Sequence, residues 1–322
     1  MHGRTSVQHF TLNLLTWMLA VSFGWPIAAA LAAAQVRIHQ GARQPSSGKD
    51  LEIWANSPQT SLTLYNPDER FLRTDVRWLN VPEGSYLATP QGVADATSVA
   101  GCTLKVRSLL AAHGTAHWQL ESNIKGDYAF AVTSGALSGL NRAEKSGSLN
   151  FAIHLGNSGL KLPRLMQSLQ RFPFPTYLLP GNRDSQVQFS ARLGNTDHDF
   201  AIGRDHFVLI DNARARVNWA ERKWLSATLR ADRHEGARHI FAFLHWPLID
   251  PRRGRNEAMR DRYQVHVLER LFEVNKVAAV FSSHIPIDHL RKSHGVSYYI
   301  VGPGHALVVR AKGDALSVRI LP

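Results

Sequence analysis

In the second half of this chain, apolar runs of strand length repeatedly stop on short turns that carry asparagine, histidine or a small residue. Phe151–Leu155 meets Gly156-Asn157, and Thr176–Leu179 meets Pro180-Gly181-Asn182-Arg183-Asp184. His239–Leu244 meets His245, and Val277–Phe281 meets Ser282-Ser283-His284. Runs this short and this apolar read as strands. Helix-period segments lie between them. One covers Leu162–Arg171, and another starts at Asn218 with Glu221 as its capping-box partner and Trp224, Leu225 and Leu229 as its apolar stripe. A third, around Glu257–Asn275, is expected to bury Tyr263, Val267, Leu268, Leu271 and Phe272. Strands alternating with helices predict an α/β layered domain over residues 127–322, with functional loops at the strands' C-terminal ends. Gly181 is expected to supply a backbone angle that other residues avoid, so that Asn182, Arg183 and Asp184 converge.

Residues 51–123 have a different rhythm. Short alternating segments (Leu51–Trp54, Ser61–Tyr65, Val76–Leu79, Ser85–Leu87, Thr103–Val106, His117–Leu120) are separated by Pro, Gly and Asn turns. They predict a small all-β sandwich of immunoglobulin-like type with no catalytic constellation. Residues 35–50 read as a polar linker. Residues 1–34, with basic Met1–Arg4, apolar Phe10–Phe23 and Ala32-x-Ala34, have the layout of a secretory signal peptide. The same segment is long enough to be an uncleaved membrane anchor. Either way the remainder is expected outside the cytoplasm, secreted or periplasmic. A lone cysteine, Cys102, excludes an intrachain disulfide and a Cys-based zinc cluster. The net charge of +12 suits phosphate-bearing partners, anionic lipid or an acidic envelope polymer. With no helix-turn-helix or RNA-binding signature, no specific nucleic-acid partner is expected. Arg252, Arg253, Arg255, Arg260 and Arg262 form a basic stretch after His245 that could gather polyanions or simply be solvated.

The strand ends resemble those of the calcineurin-like metallophosphoesterases, whose members hold two metal ions with a short series of motifs. Phe151–Asn157 is similar to the Gly-Asp strand and Gly181–Asp184 to the Gly-Asn-His-Asp turn. His245 is similar to the single histidine after a strand, and Ser283-His284-Ile285-Pro286 to the closing Gly-His-x-His. The resemblance implies a layered sheet and helix fold and phosphoester chemistry at these loops.

Departures fall at the ligand positions. Ser134 and Ala136 stand where the family has its Asp-x-His, Asn157 where it has the bridging Asp, and Pro286 where it has the last His. Arg183 replaces the histidine that protonates the leaving group. Asn182, His245 and His284 keep the expected type, and all belong to the second metal of the family's pair. The resemblance therefore implies either one divalent cation, zinc or manganese, at Asn157, Asn182, His245 and His284, or a decayed site without metal. His154, Asp288, His289 and His305 are candidate substitute ligands. Arg183 has two readings, a phosphate or carboxylate fork or a local ion pair with Asp184 or another acid. The expected functions are anion binding with little hydrolysis, a single-metal phosphoester hydrolase, or an envelope adaptor using the β part.

Overall fold

The computed structural model describes residues 34–45, 50–99 and 102–322; of the expected leader, only Ala34 falls among them. The N-terminal part consists of strands β1 (Gln35–His39), β2 (Gly41–Gln44), β3 (Leu51–Ala55), β4 (Ser61–Tyr65), β5 (Leu72–Leu79), β6 (Tyr86–Thr89), β7 (Gly92–Val93), β8 (Ala96–Val99), β9 (Thr103–Leu110) and β10 (Thr115–Glu121). They form two five-stranded sheets, β1-β4-β10-β6-β7 and β2-β3-β5-β9-β8. Alternate residues, among them Leu62, Leu64, Val76, Trp78, Trp118 and Leu120, enter one core between the sheets. Pairing is antiparallel except between β3 and β5, which run parallel.

The stretch expected to be a linker carries β1 and β2. It looks polar because β1 alternates, with Val36 and Ile38 packed on the core and its other side chains outward. At Gly41 an added Cβ would lie 2.5 Å from the Trp54 carbonyl, so β2 can approach β3 only with glycine there.

The remainder contains β11 (Tyr128–Thr133), α1 (Ser138–Lys145), β12 (Phe151–His154), α2 (Leu162–Leu169), β13 (Thr176–Leu178), α3 (Gln186–Leu193), β14 (His198–Ile202), β15 (Asp205–Leu209), α4 (Trp219–His234), β16 (His239–Phe243), α5 (Arg262–Val274), β17 (Ala279–Ser282), β18 (His289–Ser293), β19 (Val296–Ile300), β20 (Ala306–Lys312) and β21 (Ala315–Leu321). Two sheets result, β13-β12-β11-β20-β21 and β14-β15-β16-β17-β19-β18. Their facing sides are aromatic: Phe130 and Phe151 from one sheet interlock with Phe207, Phe241, Phe243 and Phe281 from the other. The outer sides carry smaller residues. Ala131 and Ala152 let α1 and α2 lie close, while Ile240, Ala242 and Leu244 receive α4 and α5. Large residues inward and small ones outward fix a helix–sheet–sheet–helix stack.

α5 begins at Arg262, later than expected. Arg252 gathers Asp250 and Glu257 into an ion-paired loop, and the Asp261 carboxylate caps the helix by accepting from the Tyr263 and Gln264 N–H groups. Tyr263, expected in the core, is 70 % exposed because it sits in that first turn.

The two parts are joined at an edge. β13 is the outermost strand of its sheet, and two asparagines from the β part stand in for a further neighbour. Asn80 donates to the Thr176 carbonyl and accepts from its N–H at 3.0 and 2.7 Å. Asn56 does the same for Leu178 at 3.2 and 2.8 Å. All four groups are buried, so the edge is satisfied without exposing a sticky strand.

Candidate functional site

Strands β11, β12 and β13 are parallel, as are β15, β16, β17 and β19. Their C-terminal ends deliver Asn157, Asn182, His245 and His284 to one place. Two chain turns must touch for this. A Cβ on Gly156 would lie 2.1 Å from the Gly181 nitrogen, and one on Gly181 would lie 2.3 Å from Asn157 Oδ1. Gly181 is needed for that approach and not for an unusual backbone angle. The left-handed angles occur elsewhere, at Gly156 (φ 85°), Asn157 (φ 59°) and His284 (φ 72°). Left-handed non-glycine residues are uncommon, and here they turn both side chains toward the centre.

Hydrogen bonds fix the chemistry of each group. His245 Nδ1 donates to the Leu155 carbonyl at 2.6 Å, which leaves Nε2 as a lone pair facing the centre. Asn157 Oδ1 accepts from the Arg183 backbone N–H at 3.0 Å. A backbone N–H can only donate, so the Asn157 amide nitrogen points inward. It donates to Asn182 Oδ1 at 2.8 Å and to His245 Nε2 at 3.1 Å. Asn182 Oδ1 lies 3.0 Å, and His284 Nδ1 3.3 Å, from that same Nε2. The His284 ring stacks on Trp246 with centroids 3.4 Å apart.

Burial pushes the His245 imidazole down to about 4, against the pull of the Leu155 carbonyl and with help from His284 and Arg183. Burial also lowers His284. Both rings are therefore neutral near pH 7. The Asp184 carboxylate is spent on the N–H groups of Asn157 and Gly181, at 2.7 and 2.8 Å; burial raises it against those bonds. Its partners are these backbone donors, and no ion pair joins it to Arg183 among the described residues. Arg183 instead lines an open cleft of about 470 Å³ with Lys161, Leu160, Gln188 and Phe189.

The other expected positions lie apart from this cluster. Ser134 is buried and accepts from Ser283 Oγ, while the Gly302–His305 loop packs over Gly135. His154 is wholly buried, bonded through Nδ1 to Thr133 Oγ1 at 3.0 Å. Asp288 and His305 pair with each other at 2.8 Å, and His289 lies on edge strand β18. The carboxylates that bear on His284, Glu257 and Asp250, are held by Arg252. Among the described residues, no cluster of His, Cys, Asp or Glu is arranged to hold a metal ion.

Sequence reasoning missed Asn212 and Lys161. Asn212 is buried, and its Oδ1 accepts from the N–H groups of His245 and Trp246 at 2.8 and 3.0 Å, holding the turn that aims the histidine. It follows an apolar run, Phe207–Ile210, as the recognised site residues do, and that is the one signal that could have found it.

No known family matches the chain by sequence, and no curated protein does either. Solved structures do. A dimetal phosphatase from Danio rerio matches 61% of this chain and 96% of its own, at 11% identity and a TM-score of 0.50. A purple acid phosphatase from yellow lupin (Lupinus luteus) seeds matches 88% of this chain and 72% of its own, at 9% identity and a TM-score of 0.47. GAP50, the anchor in the inner membrane complex of Plasmodium, matches 61% and 84%, at 11% identity and a TM-score of 0.49. The fold is that of the calcineurin-like metallophosphoesterases.

Proposed function

We propose that this metallophosphoesterase-type fold belongs to an exported protein that binds an anionic, phosphate-bearing ligand at Arg183, with little or no hydrolysis. The observation that carries the reading is the inward Asn157 amide. Its N–H groups occupy the middle of the cluster, where the resemblance to the metallophosphoesterases implies a cation, and they satisfy the lone pairs of Asn182 and His245.

A dinuclear metal does not fit these residues. Two dications about 3.5–4 Å apart repel by about 20 kcal/mol at an effective dielectric near 20. The cluster of Asn157, Asn182, His245 and His284 contains no carboxylate to offset this, and Ser134, Ala136 and Pro286 supply no ligand in place of the family's. Arg183 brings a fixed positive charge with a fork that matches phosphate oxygens. Beside it in the cleft, Lys161 adds a second cation.

The test is isothermal titration with inorganic phosphate, paired with metal analysis and turnover of p-nitrophenyl phosphate and its bis-ester. Losing hydrogen bonds to a charged group costs roughly 1.5–3 kcal/mol, so Arg183→Ala should weaken phosphate binding by about 10- to 100-fold. Unchanged affinity removes the reading. So does robust turnover that disappears in His245→Ala.

A second reading, a single zinc or manganese at Asn182, His245 and His284 in a phosphoester hydrolase, has its own support. The 3.0 and 3.3 Å separations about His245 Nε2 are what ligand bonds of about 2.0–2.1 Å would subtend around one ion. It requires the Asn157 amide to leave the centre, and metal analysis decides it. A third reading takes the β part as an immunoglobulin-like module docking to an envelope component; pull-downs with the full chain, with and without changes on that part's surface, address it.

A further inference from the structure

α4 and α5 follow neighbouring parallel strands, β15 and β16, so both helices start on the side where the candidate site opens. The chain entering α4 meets the first turn of α5: the Val217 N–H donates to Gln264 Oε1 at 3.0 Å. Each carries in its first turn an aromatic residue that has no place in the core. Trp219 is 68 % exposed and Tyr263 70 %. Single exposed aromatics are ordinary, but two at adjoining helix ends among cations are not. Close to them in the chain stand Arg214, Arg216, Lys223, Arg260 and Arg262, all exposed.

The acids of this rim keep their charge but are turned to backbone and amide donors, and none makes an ion pair with the cations beside it among the described residues. Glu221 accepts from the Asn218 N–H, and Asp261 accepts from Tyr263 and Gln264. Asp211 takes the Ala213 N–H and Gln186. Lys223, Arg260 and Arg262 have no ion-pair partner among the described residues, so their charge is available to an anionic surface.

We propose that this rim docks on an anionic lipid bilayer. The choice of lipid over a nucleic acid or a sugar polymer rests on Trp219. Trp and Tyr are the side chains that seat at the headgroup level of a bilayer, and here the exposed indole carries a cation with it, the Lys223 ammonium lying 5.3 Å from the ring centroid. A lysine-covered indole suits the headgroup layer, where the ring enters the interface and the ammonium meets phosphates. Among the described residues no helix is long and apolar enough to cross a membrane; the contact proposed here is made from the surface by this rim. It does not depend on Arg183 or on the ligand reading above.

Co-sedimentation of the full chain with phosphatidylglycerol–phosphatidylcholine vesicles, against pure phosphatidylcholine, provides the test. The expected result is binding that needs the anionic lipid and weakens at least about tenfold between 0.05 and 0.5 M salt. It should weaken by a similar factor in the Trp219→Ser/Tyr263→Ser double variant. Should that variant fold poorly by circular dichroism, the Lys223→Glu/Arg262→Glu variant makes the same test through charge alone. Equal binding to both vesicle types overturns the proposal, as does full retention of the anionic preference in the folded variants. So does binding of these residues to a soluble polyanion such as heparin with no binding to vesicles.

Discussion

Replacing Asn157 with aspartate exchanges the inward amide for a second acceptor while keeping the oxygen that takes the Arg183 N–H. Both inward bonds are lost, the one to Asn182 Oδ1 at 2.8 Å and the one to His245 Nε2 at 3.1 Å. Two net hydrogen bonds are worth about 2 kcal/mol, and leaving partly buried acceptors facing one another adds roughly 1–2 kcal/mol. Unfolding entropy near 2.1 cal/mol/K per residue gives about 0.7 kcal/mol/K for a chain of this length. The melting temperature in chelator at about pH 8 should therefore fall by roughly 5 °C. The loss should shrink at about pH 5. The new carboxylate raises the folded-state pKa of His245, and that stabilisation is present at low pH and lost as pH rises through the raised value. Zinc or manganese, at about a hundred times its dissociation constant, should return about 2.7 kcal/mol to the variant and nothing to the parent chain. Thermal melts with and without chelator measure all of this. An Asn157→Asp variant that melts within about 1 °C of the parent in chelator would show that the amide does not hold the centre.

Two further outcomes are expected. Asn80→Ala leaves the Thr176 N–H and carbonyl and the Ala55 carbonyl without a partner in a buried seam, and should cost about 2–4 kcal/mol in urea unfolding; a loss below about 0.5 kcal/mol would mean the edge of β13 is satisfied some other way. Burial pushes His154 down to about 4, so between about pH 6.5 and 4 the unfolded chain takes up a proton that the folded chain excludes, and stability falls as pH falls. In His154→Phe the fall should be shallower by up to about 1.4 kcal/mol per pH unit, and an unchanged slope would place that proton elsewhere.

The legibility of the site in the sequence was uneven for identifiable reasons. Asn157, Asn182, His245 and His284 stand at the ends of apolar runs, and parallel strands bring such ends together whatever the other details. The role of Gly181 is not legible in the sequence, because a close approach between two turns 25 residues apart leaves no local trace; a Cβ there is excluded by Asn157 Oδ1, not by the backbone angle. β1 and β2 were hidden for the opposite reason. Their side chains look polar, and what holds them is pairing to β4 and β3. The basic stretch from Arg252 to Arg262 is continuous in sequence but not in charge, because Arg252 is spent on Asp250 and Glu257.

By itself the sequence determined which side chains are available: amides and imidazoles but no carboxylate at Asn157, Asn182, His245 and His284, a permanent cation at Arg183, and apolar runs long enough for two packed sheets. Charge and side-chain type are fixed by covalent structure and need no fold to be known. Tertiary structure alone decided where those groups point. Only the Arg183 N–H turns the Asn157 amide inward, and only the Leu155 carbonyl makes His245 Nε2 a lone pair. Direction in a hydrogen-bonded cluster belongs to the neighbours that surround a group, and those neighbours come from distant parts of the chain.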